Sequence, residues 1–143
     1  LRADAAAARR RWGDRAEANG YTWRSIADTG AVLAFGTDAP VEPIDPWPGL
    51  SMAVTRRDAS WPSGSLPFGP GEALTLERSI RAACVAPAVT AGERDRGRLV
   101  PGQRADLVVV PISALTEPVE PGGALANARP RLVLLDGRVG FEA

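Results

Sequence analysis

The feature that most constrains this chain is a short apolar run at residues 31–35 (AVLAF), which lies between Gly30 and Gly36. A run of this length between glycines is typical of a strand buried on both faces, as in parallel sheets. Asp38 follows the run almost directly. Functional sites of parallel α/β folds form at the carboxyl ends of strands. Asp38 is therefore either an active-site carboxylate or a turn residue, since aspartate is also a common turn former.

Composition excludes several classes of protein. Of 143 residues, 45% are apolar and 24% are charged, which is ordinary for a globular domain. The formal net charge is zero, so electrostatics predicts neither a nucleic-acid partner nor a membrane surface. The single cysteine, Cys84, rules out an internal disulfide, fits a cytoplasmic protein and is expected in the core.

The chain contains no histidine and no lysine. The missing histidine removes His-based triads and His-ligated zinc from the chemistry that this chain can do by itself. The missing lysine removes Schiff-base chemistry. Carboxylates, hydroxyls, tyrosine and arginine are the remaining candidates for catalysis.

Helical patterns dominate the first part of the chain, and two proline-containing loops, 39–50 and 58–72, interrupt them. The loop at 39–50 is expected to hold no regular structure. Thr75 has the position and chemistry of an N-cap, and Pro87 is expected to end one helical segment and open another. The predicted helices cover residues 2–18, 22–28, 50–57 and 75–92.

The later part of the chain has short β patterns. Residues 98–100 and 105–110 flank Pro101-Gly102 and predict a hairpin or tight bend. A second hairpin is predicted around Asp136-Gly137, a favoured two-residue turn. One parallel strand cannot form a sheet, and two hairpins are a weak fold, so we expect the chain to be the end of a larger protein.

The stretch FGTDAPV at 35–41 is followed by Asp45-Pro46. Further stretches are AVTR at 53–56, AACVAPA at 82–88, GRLVPGQRADLVV at 97–109 and the segment 133–140. In this order, these stretches resemble the metal-dependent hydrolases of the amidohydrolase superfamily, and more narrowly its amidohydrolase 3 or YtcJ-like branch. The first stretch is similar to the last barrel strand and the following loop of that family.

The resemblance implies an α/β fold: the terminal segments of a (β/α)8 barrel, followed by the C-terminal strands of a small β-sandwich domain. Residues 1–92 would supply the last helices and last strand of an incomplete barrel. Residues 93–143 would supply the C-terminal part of the sandwich.

The resemblance also implies a function. Such enzymes use a divalent metal, here expected to be zinc, to activate water against amide or other non-peptide C–N bonds of small molecules. Only Asp38 matches a metal-site position, which implies that it binds the metal and handles the proton of the attacking water. The other ligands are absent from this chain, so the chain alone is expected to be inactive.

Other polar residues are candidates for a role in the site, for a structural role, or for either. Asp45 fits a loop turn or a substrate contact, and Arg56 fits a surface ion pair or a contact to an anionic substrate group. Thr37 is a candidate for a hydrogen bond near the metal. Asp106, which precedes a predicted strand, is expected to be structural.

Three aromatic residues on the loops are expected either to line a substrate pocket or to cover the barrel mouth: Trp47, Trp61 and Phe68. An alternative to the hydrolase is a non-catalytic remnant that acts as a structural or self-associating module. Its partner would be a second copy or the missing N-terminal part of the protein.

Overall fold

Five helices precede the first strand along the chain in a computed structural model that describes every residue, Leu1–Ala143. The fold is a mixed α/β arrangement with one small antiparallel sheet. None of the helices combines the length and the apolar character needed to cross a bilayer. The elements are α1 (Ala5–Trp12), α2 (Arg15–Asn19), α3 (Trp23–Asp28), α4 (Trp47–Thr55), a 3₁₀ turn (Pro70–Glu72), α5 (Leu76–Thr90), β1 (Leu107–Val109), α6 (Ser113–Thr116), β2 (Leu132–Leu135) and β3 (Arg138–Glu142).

Two helices depart from the sequence prediction. The predicted helix 2–18 is divided into α1 and α2, because Gly13 takes a left-handed φ of 55° and ends α1. Helix α4 begins earlier than expected, inside the proline-containing loop, with Pro48 in its first turn. Proline is tolerated there because the first-turn amides have no helical acceptor.

Helix α5 confirms its predicted cap and corrects two other expectations. The Thr75 hydroxyl accepts a hydrogen bond from the amide of Arg78 at 3.2 Å. Pro87 does not divide the helix, which continues to Thr90: the proline removes one backbone donor, but the Ala91 amide still closes the final turn by donating to the Pro87 carbonyl at 2.9 Å. Cys84 is exposed rather than in the core.

The predicted buried strand at residues 31–35 is not a strand in this structure. Residues 31–37 have no ladder partner, and Val32 is 57% exposed. A strand needs a neighbouring strand to pair with its backbone, and here the Phe35 amide instead donates to the carbonyl of Ala82 in α5 at 2.8 Å. Residues 31–37 are hereafter called the extended segment.

The extended segment keeps the two-residue alternation of a strand. Leu33, Phe35 and Thr37 are half-buried, whereas Val32, Ala34 and Gly36 are exposed. Successive side chains of an extended backbone point to opposite sides. One side of the segment is therefore covered by the helices and the other is open.

The sheet has strand order β1-β2-β3, all antiparallel. The predicted turn at Asp136-Gly137 is confirmed: both residues have positive φ, 52° and 76°, as a type I′ turn requires. At Pro101-Gly102 the predicted hairpin is wrong, because residues 98–100 form no strand and β1 pairs with β2 instead. The alternative, a tight bend, is confirmed by the hydrogen bond from the Gln103 amide to the Val100 carbonyl at 3.3 Å.

Both faces of the sheet are apolar. The registers place Val108, Val133 and Phe141 on one face. Leu107, Leu134 and Val139 lie on the other face. The strands pack mainly against each other rather than against a helix, and the exposed fractions of Phe141 and Val139 are 48% and 62%. A sheet with two uncovered apolar faces normally packs against further layers.

The loop after α4 is held by a charged network. The Arg2 guanidinium pairs with the Asp58 carboxylate, which also accepts hydrogen bonds from the amide and hydroxyl of Ser60. The Trp61 indole donates to the Arg2 carbonyl at 3.1 Å. Burial raises the pKa of Asp58, but the hydrogen bonds from Arg2 and Ser60 outweigh it and lower this pKa below its ordinary value.

Replacing the α5 cap tests the local stability of that helix. Thr75→Ala is expected to lower the free energy of unfolding by about 1 kcal/mol, because the Arg78 amide loses its acceptor. Urea unfolding followed by circular dichroism measures this loss. Thr90→Ala is the matched control, since the Thr90 hydroxyl donates to carbonyls at the helix end and caps no amide. Equal losses in both variants would contradict the assignment of the cap.

The Asp58 network predicts a pH dependence of stability. A carboxylate whose pKa is lowered by folding stabilises the folded state above its ordinary pKa of 3.8, and this contribution is lost as the pH falls from that value through the lower pKa of the folded state. Asp58→Asn should therefore lower the free energy of unfolding by about 2 kcal/mol at pH 7. The difference from the unmodified protein should shrink below about pH 4.

Urea unfolding at pH 7, 5 and 3.5 measures this difference. The control is Asp14→Asn, which changes an exposed aspartate with no side-chain cap hydrogen bond. A stability difference that stays constant across this pH range would show that the Asp58 charge does not contribute.

Candidate functional site

Asp38 lies at the open end of the extended segment. Its φ is 53°, its carbonyl accepts a hydrogen bond from the amide of Val41 at 2.9 Å, and the following Ala39–Pro40 peptide bond is cis. The side chain is exposed, as are those of the two residues that follow it. No ion pair or side-chain hydrogen bond within the chain involves its carboxylate, so both oxygens are free to accept a ligand.

The chain does not surround Asp38 with further ligands. No group of three or more Asp, Glu, Cys or His side chains is placed to hold a metal ion. A catalytic zinc site uses three protein ligands. Asp38 can therefore supply one oxygen ligand, but the residues described here cannot hold the ion by themselves.

A cavity of about 260 Å³ lies on the covered side of the extended segment. Thr37 and Phe35 line it, but Asp38 does not, and the expected hydrogen bond of Thr37 near the metal stays a prediction. The other walls are largely apolar, with charged groups at one side. They include Trp23, Leu50, Met52, Ala83, Arg2, Glu42 and Asp45.

The loop aromatics do not form this cavity. Phe68 is fully buried in a small core with Ala5, Ala8 and Ala16, against which Trp61 packs. Neither these two side chains nor Trp47 is among the cavity-lining residues. Phe68 is a core residue, and whether these aromatics line a substrate pocket or cover the barrel mouth stays a prediction.

Two aspartates have structural roles. Asp45 accepts a hydrogen bond from the Trp47 amide at the start of α4 and pairs with Arg129 at 3.4 Å. Asp106 accepts a hydrogen bond from the Asp136 amide at 2.8 Å, which ties the β2–β3 turn to the segment before β1. The turn interpretation of Asp45 and the structural interpretation of Asp106 are both confirmed.

Arg56 departs most from its prediction. Its side chain is fully buried and forms no ion pair, although a surface ion pair was the main expectation. Burial lowers the pKa of Arg56 to about 10, and the carboxylates of Glu72 and Glu17 partly oppose this effect. Sequence reasoning missed its burial because arginine is almost never fully buried without a charged partner.

The sequence was compared with known proteins. Residues 2–141 match the family described as "Amidohydrolase family". The chain is 30% identical over 91 residues to "Putative amidohydrolase YtcJ" of Bacillus subtilis (strain 168), which covers 63% of this chain and 17% of that protein. It is 29% identical over 105 residues to "Protein LONG AFTER FAR-RED 3" of Arabidopsis thaliana, which covers 73% of this chain and 18% of that protein.

No solved structure matches the chain. The chain spans less than a fifth of the length of these two curated relatives, since it covers 17% of one and 18% of the other. The family match, by contrast, extends over residues 2–141 and so includes the extended segment, Asp38 and the sheet. On this match, the chain belongs to the amidohydrolase family.

Proposed function

We propose that this chain is the C-terminal portion of a metal-dependent hydrolase that cleaves amide or other non-peptide C–N bonds of small molecules by metal-activated water. The observation that carries the proposal is Asp38: an exposed carboxylate without a partner, at the end of an extended apolar segment. Membership of the amidohydrolase family supports the hydrolase class.

The proposed chemistry needs a divalent metal, for which zinc is our candidate. Carboxylate oxygen is a suitable zinc ligand, and the free Asp38 side chain fits that requirement. When bound, such an ion would lower the pKa of a water molecule toward about 7. Asp38 would provide one oxygen ligand, accept the proton of that water and deliver it to the leaving nitrogen. Because the remaining ligands would come from outside these residues, the chain alone is proposed to be inactive.

Two uncovered surfaces support a larger fold around this chain. The extended segment has one open side and lacks a ladder partner, and the sheet exposes apolar residues on both faces. We propose that residues 1–92 belong to the end of a (β/α)8 barrel in which the extended segment is a strand. Residues 93–143 would then belong to a β-sandwich that covers the sheet.

The same apolar sheet favours a second candidate function, a structural or self-associating module without catalysis. Exposed apolar faces and unpaired strand edges promote association between copies. Sedimentation velocity, together with a measurement of metal binding, distinguishes the two candidates. A concentration-dependent dimer of the full-length protein that binds no metal would favour the module, and a metal-binding enzyme would favour the hydrolase.

Replacing Asp38 tests the hydrolase proposal in the full-length protein. Asp38→Asn is expected to lower the turnover of small N-acyl amides by at least about 100-fold, because the amide side chain cannot accept the proton of the attacking water. It is also expected to lower the zinc retained after dialysis, measured by atomic absorption. Circular dichroism shows whether the fold survives.

Asp14→Asn is the control, because Asp14 is an exposed aspartate that makes no side-chain cap hydrogen bond and does not line the cavity. Its turnover and zinc content are expected to stay close to those of the unmodified protein. Full turnover in Asp38→Asn would show that Asp38 takes no part in the reaction.

A further inference from the structure

Arg56 is the largest side chain that is fully buried in this structure. It follows α4 directly, in a left-handed conformation with a φ of 58°. No carboxylate lies within ion-pair distance of its guanidinium, and its Nη1 atom has no hydrogen-bond acceptor. A buried charge without a paired carboxylate costs free energy, so the contacts that Arg56 does make call for a physical explanation.

These contacts join two separate parts of the chain to the end of α4. Nε donates to the Phe68 carbonyl at 2.8 Å, and Nη2 donates to the Tyr21 carbonyl at 3.1 Å. The guanidinium also lies over the ring of Trp23, with 4.6 Å between the guanidinium carbon and the ring centroid. Arg56 therefore holds the loop after α4 and the start of α3 in one fixed arrangement.

Trp23 connects this arrangement to the extended segment. Its ring packs edge-on against Phe35, with 5.2 Å between the ring centroids. The amide of Phe35 also donates a hydrogen bond to the Ala82 carbonyl of α5, which anchors the backbone of this residue. Trp23 and Ala82 together hold the covered side of the extended segment, which Asp38 directly follows.

We propose that Arg56 is a positioning residue for Asp38: its guanidinium fixes the ring of Trp23, against which the segment that carries Asp38 packs. The catalytic meaning of this proposal rests on the proposed function, but the mechanical link from Arg56 through Trp23 to Phe35 does not. The interaction needs arginine, because the planar fork stacks on a ring while it donates to two carbonyls. Lysine has no plane to stack, and methionine has no donor.

A purely structural role for Arg56 makes a different prediction. If the side chain only filled space, methionine would replace it at similar volume and would remove the cost of a buried charge. Global stability and the order of the extended segment would then change together. If Arg56 positions the extended segment, replacing Arg56 makes that segment less ordered even in a variant whose free energy of unfolding is unchanged.

Hydrogen exchange followed by mass spectrometry on the full-length protein separates these roles. In Arg56→Met, the peptide that covers residues 31–38 is expected to exchange about tenfold faster, because the Phe35–Ala82 hydrogen bond opens more often. The peptide that covers β2 and β3 serves as an internal reference and should not change. Arg10→Met, at an exposed arginine of α1, is the matched control and should leave both peptides unchanged.

Arg56→Lys keeps the charge and most of the length, and it provides the test if Arg56→Met does not fold. It should also speed exchange of residues 31–38, because the stacked plane is lost. Exchange within twofold of the unmodified protein in every variant that folds would overturn the proposal. Faster exchange spread equally over β2 and β3 would also overturn it, since that pattern is general destabilisation.

Kinetics of the same variants distinguish a failure of this proposal from a failure of the proposed function. With Asp38 in the reaction, Arg56→Lys should lower kcat about tenfold and leave KM within twofold. Faster exchange of residues 31–38 in the Arg56 variants, together with full activity in Asp38→Asn, would reject the proposed role of Asp38. It would keep the mechanical link from Arg56 to Phe35. Unchanged exchange together with inactive Asp38→Asn would keep the proposed function and reject the role of Arg56.

Discussion

The packing of Phe35 against Trp23 and α5 is the contact on which the position of Asp38 depends. The ring of Phe35 meets the ring of Trp23, and its amide is bonded to the carbonyl of Ala82. Because side chains alternate along an extended backbone, fixing one side of the segment also fixes which residues face outward. Asp38 faces outward at the end of that segment, where its carboxylate meets no group of this chain.

The helical part of the molecule is held together by polar side chains as much as by apolar burial. Its buried core cluster contains three alanines and Phe68, and small residues of this kind bury little apolar area. Arg2 with Asp58 and Arg56 with two backbone carbonyls hold the loops that helices alone would leave free. Hydrogen bonds of this kind fix direction as well as distance, which suits a region that must hold a site residue in place.

Sequence patterns predicted the elements that depend on local interactions. The cap at Thr75 and the turn at Asp136-Gly137 need only residues a few positions apart, and both form as expected. The role of Asp38 came from resemblance rather than from any local pattern, since an aspartate before a turn has common structural uses. The family match supports that resemblance, and the role itself stays a prediction.

Elements that depend on distant residues were predicted less well. The apolar run at 31–35 has strand character, but a strand needs a neighbour that this chain does not provide. The burial of Arg56 arises from Tyr21, Trp23 and Phe68 meeting in space, which no local pattern of apolar residues reveals. The missing strand and the buried arginine concern the same region, the contacts that support the extended segment.

The most direct test of this account is a crystal structure of the full-length protein grown with zinc, with the ion located by its anomalous scattering. The account predicts zinc with one Asp38 oxygen at about 2.0–2.2 Å, and the extended segment paired with a neighbouring strand. A zinc ion held by other residues, with the Asp38 carboxylate outside its coordination sphere, would contradict it.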